Sequence, residues 1–194
     1  MPLTPPDAGA ILALDLGAST SGTGYALAHR VGAAWRVTRL GVWDDLGVRD
    51  GPRGGRAVVK GLRTRDLRER LYAACRTAVP AVAVLVHERA PFARYAYAAQ
   101  VHGALVSAVE EAGAVEVLPV AAVGVSTVKK ALSGSGRADR AAMAAAALER
   151  WGVAPPEDAV DALGVLAAVV GVELVELAPE VIDRWRPRAA RRKA

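Results

Sequence analysis

The stretch ILALDLGASTSGTGYALAH, residues 11–29, constrains the fold more than any other part of the chain. An apolar run ends on one carboxylate, Asp15, passes through small residues, and turns apolar again. An ionised carboxylate without a partner in apolar surroundings is very costly, so its placement needs a reason. Three roles stay open on these residues alone: a turn cap, a group facing a phosphate, or a metal ligand. The pattern itself predicts strand, turn and strand.

The same reasoning extends along the chain. Ile11–Asp15, Gly24–His29 and Trp35–Trp43 read as three strands of an antiparallel meander. The Gly- and Arg-rich stretch Gly47–Ala57 reads as a loop. Val58 to about Thr77 shows helical spacing at Leu62, Leu67, Leu71 and Ala74. AVAVLVHE, closing on Glu88, reads as a buried strand. A helix is expected over Phe92–Ala112, stopped by Gly113, then a strand over Val115–Val120. Helices follow at STVKKAL, Ala138–Trp151 and Asp158–Val170, the last just after Pro155–Pro156. Three strands followed by strands alternating with helices predict an α/β fold, with a mixed five-stranded sheet flanked by helices.

The 194 residues suit one domain, taken as 10–178, with a loose Pro-rich leader at 1–9 and a basic tail at 179–194. A single cysteine, Cys75, excludes an internal disulfide framework and a cysteine zinc cluster. A reducing, cytoplasmic setting is expected, with no secretory leader and no apolar run able to span a bilayer. The net charge of +5 is unevenly spread: from Val181 onward six Lys/Arg face one acid. A second basic stretch, Arg49–Arg70, holds eight Lys/Arg against three acids. Such clusters suit a polyanionic partner such as nucleic acid, and equally a solvated tail and helix face.

Four acids stand where chemistry can use them. Asp15 and Glu88 close strands, while Asp158 and Asp161 stand three apart at a helix start and share one face. Singly, each has a plainer role: Asp158 as an N-cap, Asp161 as a charge on the helix dipole, Glu88 as a partner of Arg89. Jointly, clustered carboxylates repel unless a cation sits among them, and hard oxygen ligands suit Mg²⁺ or Mn²⁺. Two such ions are a standard device for displacement at a phosphodiester.

With these residues in view, the sequence resembles the RuvC-type Holliday-junction resolvases, which have the ribonuclease H-like fold. ILALDLGASTSGTGYAL looks like their first motif and VLVHERAPFARYAYAAQVHGAL like their second. STVKKALSGSGRADRAAM is similar to their basic segment, and PPEDAVDALGVLAAVV to their closing pair of acids ahead of Ala-Leu. Order and spacing agree over about Ile11–Val170. The GPRGGR insertion and the Arg-rich helix after it look closer to the phage branch.

The resemblance implies a homodimeric, Mg²⁺-dependent endonuclease that nicks four-way DNA junctions symmetrically, with a branch-migration motor as a candidate partner. The setting would be a nucleoid, or a host cytoplasm for a phage protein. Asp15, Glu88, Asp158 and Asp161 would hold metal ions, two per active site, as the family's carboxylates do, with Mn²⁺ able to substitute. Lys129 matches the first basic residue of the third segment and would act in catalysis and on phosphate. Arg140 stands where the family usually has Lys; it keeps the charge and can grip phosphate, but cannot give up a proton near neutrality. Ser19, Thr20 and Arg63 are further expected phosphate contacts. Pro91 replaces an aromatic of the bacterial enzymes, and Phe92, one residue along, is expected to start the helix. His87 should point away from Glu88 across its strand. Three rivals are weighed. An actin-like sugar kinase would need a second domain. A silent junction-binding module has no use for clustered acids. A broader branched-DNA or flap nuclease of the same fold is not separated by sequence.

Overall fold

The computed structural model describes residues 4–17, 22–50, 56–58, 60–89, 96–152, 154–177 and 181. Three strands open the chain: β1 (Ala10–Asp15), β2 (Thr23–Val31) and β3 (Ala34–Trp43). They pair antiparallel in sequence, with Asp15 opposite Gly24. A short hairpin, β4 (Val48–Asp50) and β5 (Arg56–Val58), lies in the stretch expected to be loop. Then come α1 (Lys60–Thr77), β6 (Val82–Arg89), α2 (Ala96–Glu116), β7 (Val120–Gly124), α3 (Val125–Ser133), α4 (Arg140–Trp151) and α5 (Glu157–Val170). A single 3-10 turn, Val172–Leu174, leads into β8 (Val175–Leu177).

The sheet order is β7-β6-β1-β2-β3-β8. β6 runs parallel to β1, β7 parallel to β6, and β8 parallel to β3. The sheet is mixed and flanked by helices, as expected. It has one strand more than the five predicted, because β8 adds three residues along the β3 edge.

Side-chain alternation along β1 and β6 sorts the core into two layers. Ile11 and Ala13 of β1, with Val84 and Val86 of β6, pack against α5, α3 and α4. Leu12, Leu14 and Leu85 pack on the other side against Leu67 and Leu71 of α1 and Leu105 and Val109 of α2. α5 is the most enclosed helix, with ten of its fourteen residues buried.

Two boundaries differ from the sequence expectation for one reason. α2 does not stop at Gly113 but runs through it to Glu116, and β7 begins at Val120 rather than Val115. A Cβ at Gly113 would lie 2.3 Å from Val120 Cγ2, so this glycine serves close packing of α2 on β7 rather than termination. Val117, at φ +54°, makes the left-handed turn instead. Pro119 therefore precedes the strand instead of ending it. No helix among the described residues is long and apolar enough to cross a membrane.

Candidate active site

Period-two geometry fixes which way the first two acids point. Asp15 continues the Ile11, Ala13 row and Glu88 continues the Val84, Val86 row, so both face α5. β1 and β6 are neighbours, with Leu14 opposite His87 in the parallel register. Asp15 and Glu88 thus end adjacent strands on the same face. His87 falls on the other face with Leu85, as expected; it is 5% exposed, and its Nδ1–H donates to the Glu88 carbonyl at 3.0 Å.

α5 brings the other two acids. Pro156 is its N-cap and makes no side-chain cap bond, so Asp158 is not the cap but sits in the first turn. The helix start comes down onto β2 at Gly24, where a Cβ would lie 1.8 Å from the Asp158 carbonyl oxygen. Gly24 is the partner of Asp15 in the ladder, so the glycine lets Asp158 reach the acid-bearing strand. At Gly24 the group that approaches the backbone closely is α5.

The acids feel one another. Burial pushes the Asp15 carboxyl well above the usual carboxylate range, with Glu88, Asp161 and Asp158 adding to the push and Arg140 opposing it. Burial raises Glu88 to about 7, helped by Asp161 and opposed by Lys129. Asp161 rises to about 6 through burial, with Arg140 pulling down, Asp158 and Glu157 pushing up, and Lys129 pulling down. Asp158 is itself buried, at 9% exposure. Four acids distant in sequence therefore share one electrostatic neighbourhood with Lys129 and Arg140.

Each base reaches that neighbourhood by its own route. Lys129 follows Val128 on α3, and α3 lies close to α5 because position 164 carries no side chain. A Cβ at Gly164 would lie 2.8 Å from Val128 Cγ1. Arg140 is the first residue of α4, whose N-cap Asp139 accepts from the Ala142 amide at 2.8 Å. Its Nε donates to the Glu157 carboxylate. Glu157 was not among the residues expected at the site. Its signal was visible as the first of three acids in EDAVD, but nothing local marked Arg140 as its partner.

Arg63 is placed differently from its expected role. It is 7% exposed, and its Nη2 donates to the backbone carbonyls of Gly17 and Gly22. Its guanidinium is engaged inside the molecule with backbone carbonyls, where a phosphate contact was expected. The neighbouring arginines of α1 are turned inward electrically as well. Arg68 grips both oxygens of Glu111 at 2.9 and 2.8 Å, Arg70 meets Asp45 at 2.8 Å, and Arg65 lies 3.6 Å from Glu69. Ser19, Thr20 and Phe92 lie outside the described residues.

Carboxylate oxygens backed by burial and by mutual repulsion are the donor set a hard divalent cation takes. Among the described residues no three His, Cys, Asp or Glu side chains close on a single point as a finished cage. The backbone assembles the acids in one electrostatic field.

No protein-family profile matches the chain, and no curated protein matches it. Solved structures do. RuvC of Thermus thermophilus in complex with a Holliday junction substrate is 22% identical, with a TM-score of 0.63 over 82% of this chain and 92% of that one. A second Thermus thermophilus RuvC structure gives 23% identity and a TM-score of 0.59 over the same shares, 82% and 92%. The yeast mitochondrial Holliday junction resolvase Ydc2 gives 13% and 0.55 over 87% of this chain and 80% of that one. The chain has their fold, the one its sequence motifs implied.

Proposed function

We propose that this chain is a structure-selective endodeoxyribonuclease that hydrolyses phosphodiesters at four-way DNA junctions with divalent metal. The observation that carries the reading is the meeting of Asp15, Glu88, Asp158 and Asp161 in one buried field beside Lys129 and Arg140. Acids crowded so that Asp15, Glu88 and Asp161 all gain proton affinity are a liability for stability and an asset for holding cations. A module that only binds phosphate has no use for them. The fold likeness to a RuvC bound to a Holliday junction substrate supports the choice of DNA substrate.

Asp15, Glu88, Asp158 and Asp161 would hold two Mg²⁺ ions, or Mn²⁺ in their place. Bound there, such ions supply an activated water and neutralise charge on the leaving oxygen. The chain's own residues do the rest. Gly24 sets the height of the α5 acids over β1. Lys129 offsets negative charge beside Glu88 and Asp161, and Arg140 beside Asp15 and Asp161, so both stand ready for the extra charge on phosphorus in the transition state. Arg140 is always charged and acts as a phosphate clamp rather than a proton donor.

Paired nicks in opposing strands require two such sites, so the active form in this reading is a homodimer. The outer face of α2, where Ala99, Gly103, Ala104 and Ser107 are exposed, is the surface we assign to it. A cytoplasmic site of action and a motor partner for branch migration belong to the same reading.

The test uses purified protein and labelled four-way junction, three-way fork and plain duplex DNA. With Mg²⁺ the junction should be cut in preference to the other two, and Asp15→Asn should abolish nicking while retaining junction binding. Normal cutting by that variant would remove the carboxylate assignment. Equal cutting of junction and fork would favour the broader branched-DNA nuclease.

A further inference from the structure

The turn that follows Asp15 is held from the far side of the sheet. The Gly17 amide donates back to the Asp15 carbonyl at 3.1 Å. The next carbonyl, that of Leu16, accepts from His102 Nδ1–H of α2 at 3.2 Å. The one after it, of Gly17, accepts from Arg63 Nη2 of α1, and the same nitrogen reaches the Gly22 carbonyl at 3.4 Å. Three successive carbonyls are thus engaged, two of them by side chains from the helix layer that carries none of the four acids. Where the chain returns, Gly22 sits at φ +111°, and a Cβ there would lie 2.8 Å from Val42 Cγ1 and 2.9 Å from the Trp43 carbonyl. The returning backbone is pressed against β3, and the guanidinium spans the mouth between it and the outgoing backbone.

We propose that Arg63 and His102 are positioning residues that fix the backbone at Leu16, Gly17 and Gly22 and thereby the height of Asp15 beside Glu88 and α5. A guanidinium suits this role because its planar fork presents several donors in a fixed geometry, whereas an ammonium offers a single point of charge on a flexible stem. His102 suits it because burial holds its imidazole toward the neutral form, in which one ring nitrogen donates while the other does not. The two side chains come from different helices, so α1 and α2 both register on the turn. Asp15 is the last residue of β1, and the ladder that holds it to β2 ends at Gly24. Beyond that point the clamp joins the buried Leu16 side chain in tying the strand end to the layer behind it.

The catalytic part of the test rests on the nuclease reading, and the backbone part does not. In the full-length protein, Arg63→Met, Arg63→Lys, His102→Leu and His102→Asn are compared with the parent. Amide hydrogen exchange over residues 16–23 and junction nicking at saturating DNA with Mg²⁺ are both followed. Arg63→Met and Arg63→Lys should each speed exchange in that segment at least tenfold while α5 and β6 keep their protection. Both should lower the nicking rate at least tenfold with junction affinity and its salt dependence unchanged. His102→Leu should act in the same direction, and His102→Asn, whose side-chain amide can donate from about the Nδ1 position, should recover most of the rate. Unchanged exchange in all four variants would overturn the proposal. So would recovery of parental nicking by Arg63→Lys together with weakened binding and a shallower salt slope in Arg63→Met, because that is the behaviour of a phosphate contact. If Arg63→Met does not fold, the Lys variant and the His102 pair decide the matter. Faster exchange in the variants of a parent protein that itself never nicks DNA would uphold the clamp and sink the nuclease reading.

Discussion

At the scale of the residue, the acids are held in a state they would not choose alone. Glu88 at about 7 and Asp161 at about 6 bind protons in the folded protein at pH values where the unfolded chain has released them. A raised carboxyl contributes stability that is complete below its unfolded value and lost as pH climbs through its folded one. The metal-free protein should therefore lose stability between about pH 4.5 and 7 through these groups. In chelator at pH 8, Asp161→Asn should melt a few degrees above the parent, on the order of 1 kcal/mol, because it removes one of the repelling charges. Added Mg²⁺ should raise the parent's melting temperature and erase that advantage. Scanning calorimetry with and without Mg²⁺ checks both; a variant that melts below the parent in chelator would show that Asp161 stabilises the fold and does not strain it. Glu157 belongs to the same balance. It raises Asp161 and binds Arg140, so in the proposed reading it would compete with phosphate for that guanidinium.

At the scale of the element, glycine carries more of the design than its local sequence discloses. Gly24 admits α5 onto β2, Gly113 admits β7 against α2, and Gly164 admits α3 against α5. Gly24→Ala should displace the start of α5, and with it Asp158 and Asp161, so it should cost Mg²⁺-dependent cutting as well as stability. The end of α2 shows the converse. Val117 takes a left-handed conformation at φ +54° and is 87% exposed, so it pays the strain of a β-branched residue without the return of burial. Val117→Gly should stabilise the protein by about 0.5–1 kcal/mol, read as a higher denaturation midpoint in urea; a lower midpoint would mean that the valine's restriction of the unfolded chain outweighs the strain. These cases explain what the sequence could and could not disclose. The facing of Asp15, Glu88 and His87 was legible because strand alternation is a local rule. Gly113 was misread as a stop because the strand it accommodates lies outside its own helix. β8, at three residues, is shorter than any periodicity can register. Arg63 looked like one more surface charge because burial of a guanidinium is decided by the carbonyls of a turn some forty residues upstream.

At the scale of the whole molecule, the excess positive charge is not where helix composition alone would put it. Arg65, Arg68, Arg70 and Arg76 all lie beside acids of the same chain, as does Arg36 beside Glu176. Those pairs are exposed and contribute little to stability, yet they cancel much of the field that α1 would otherwise project. The chain carries +5 overall, and from Val181 to the end six Lys/Arg face one acid, which is also +5. In the proposed reading, long-range attraction to a polyanion would come mainly from the terminal segment, and selectivity for shape from the rest. Each phosphate neutralised releases condensed counterions, so affinity falls with salt by about 0.9 log unit per log unit of salt for each contact. Ending the chain at Glu180 should then weaken junction binding most at low salt and flatten the salt slope by up to about five. The two forms should converge as salt rises, and the parent's preference for junction over duplex should survive the truncation. Fluorescence anisotropy from low to high salt measures slope and preference together. A truncated protein with an unchanged slope would move the phosphate contacts back onto the folded body, and one that no longer distinguishes junction from duplex would give the terminal segment a share in reading shape.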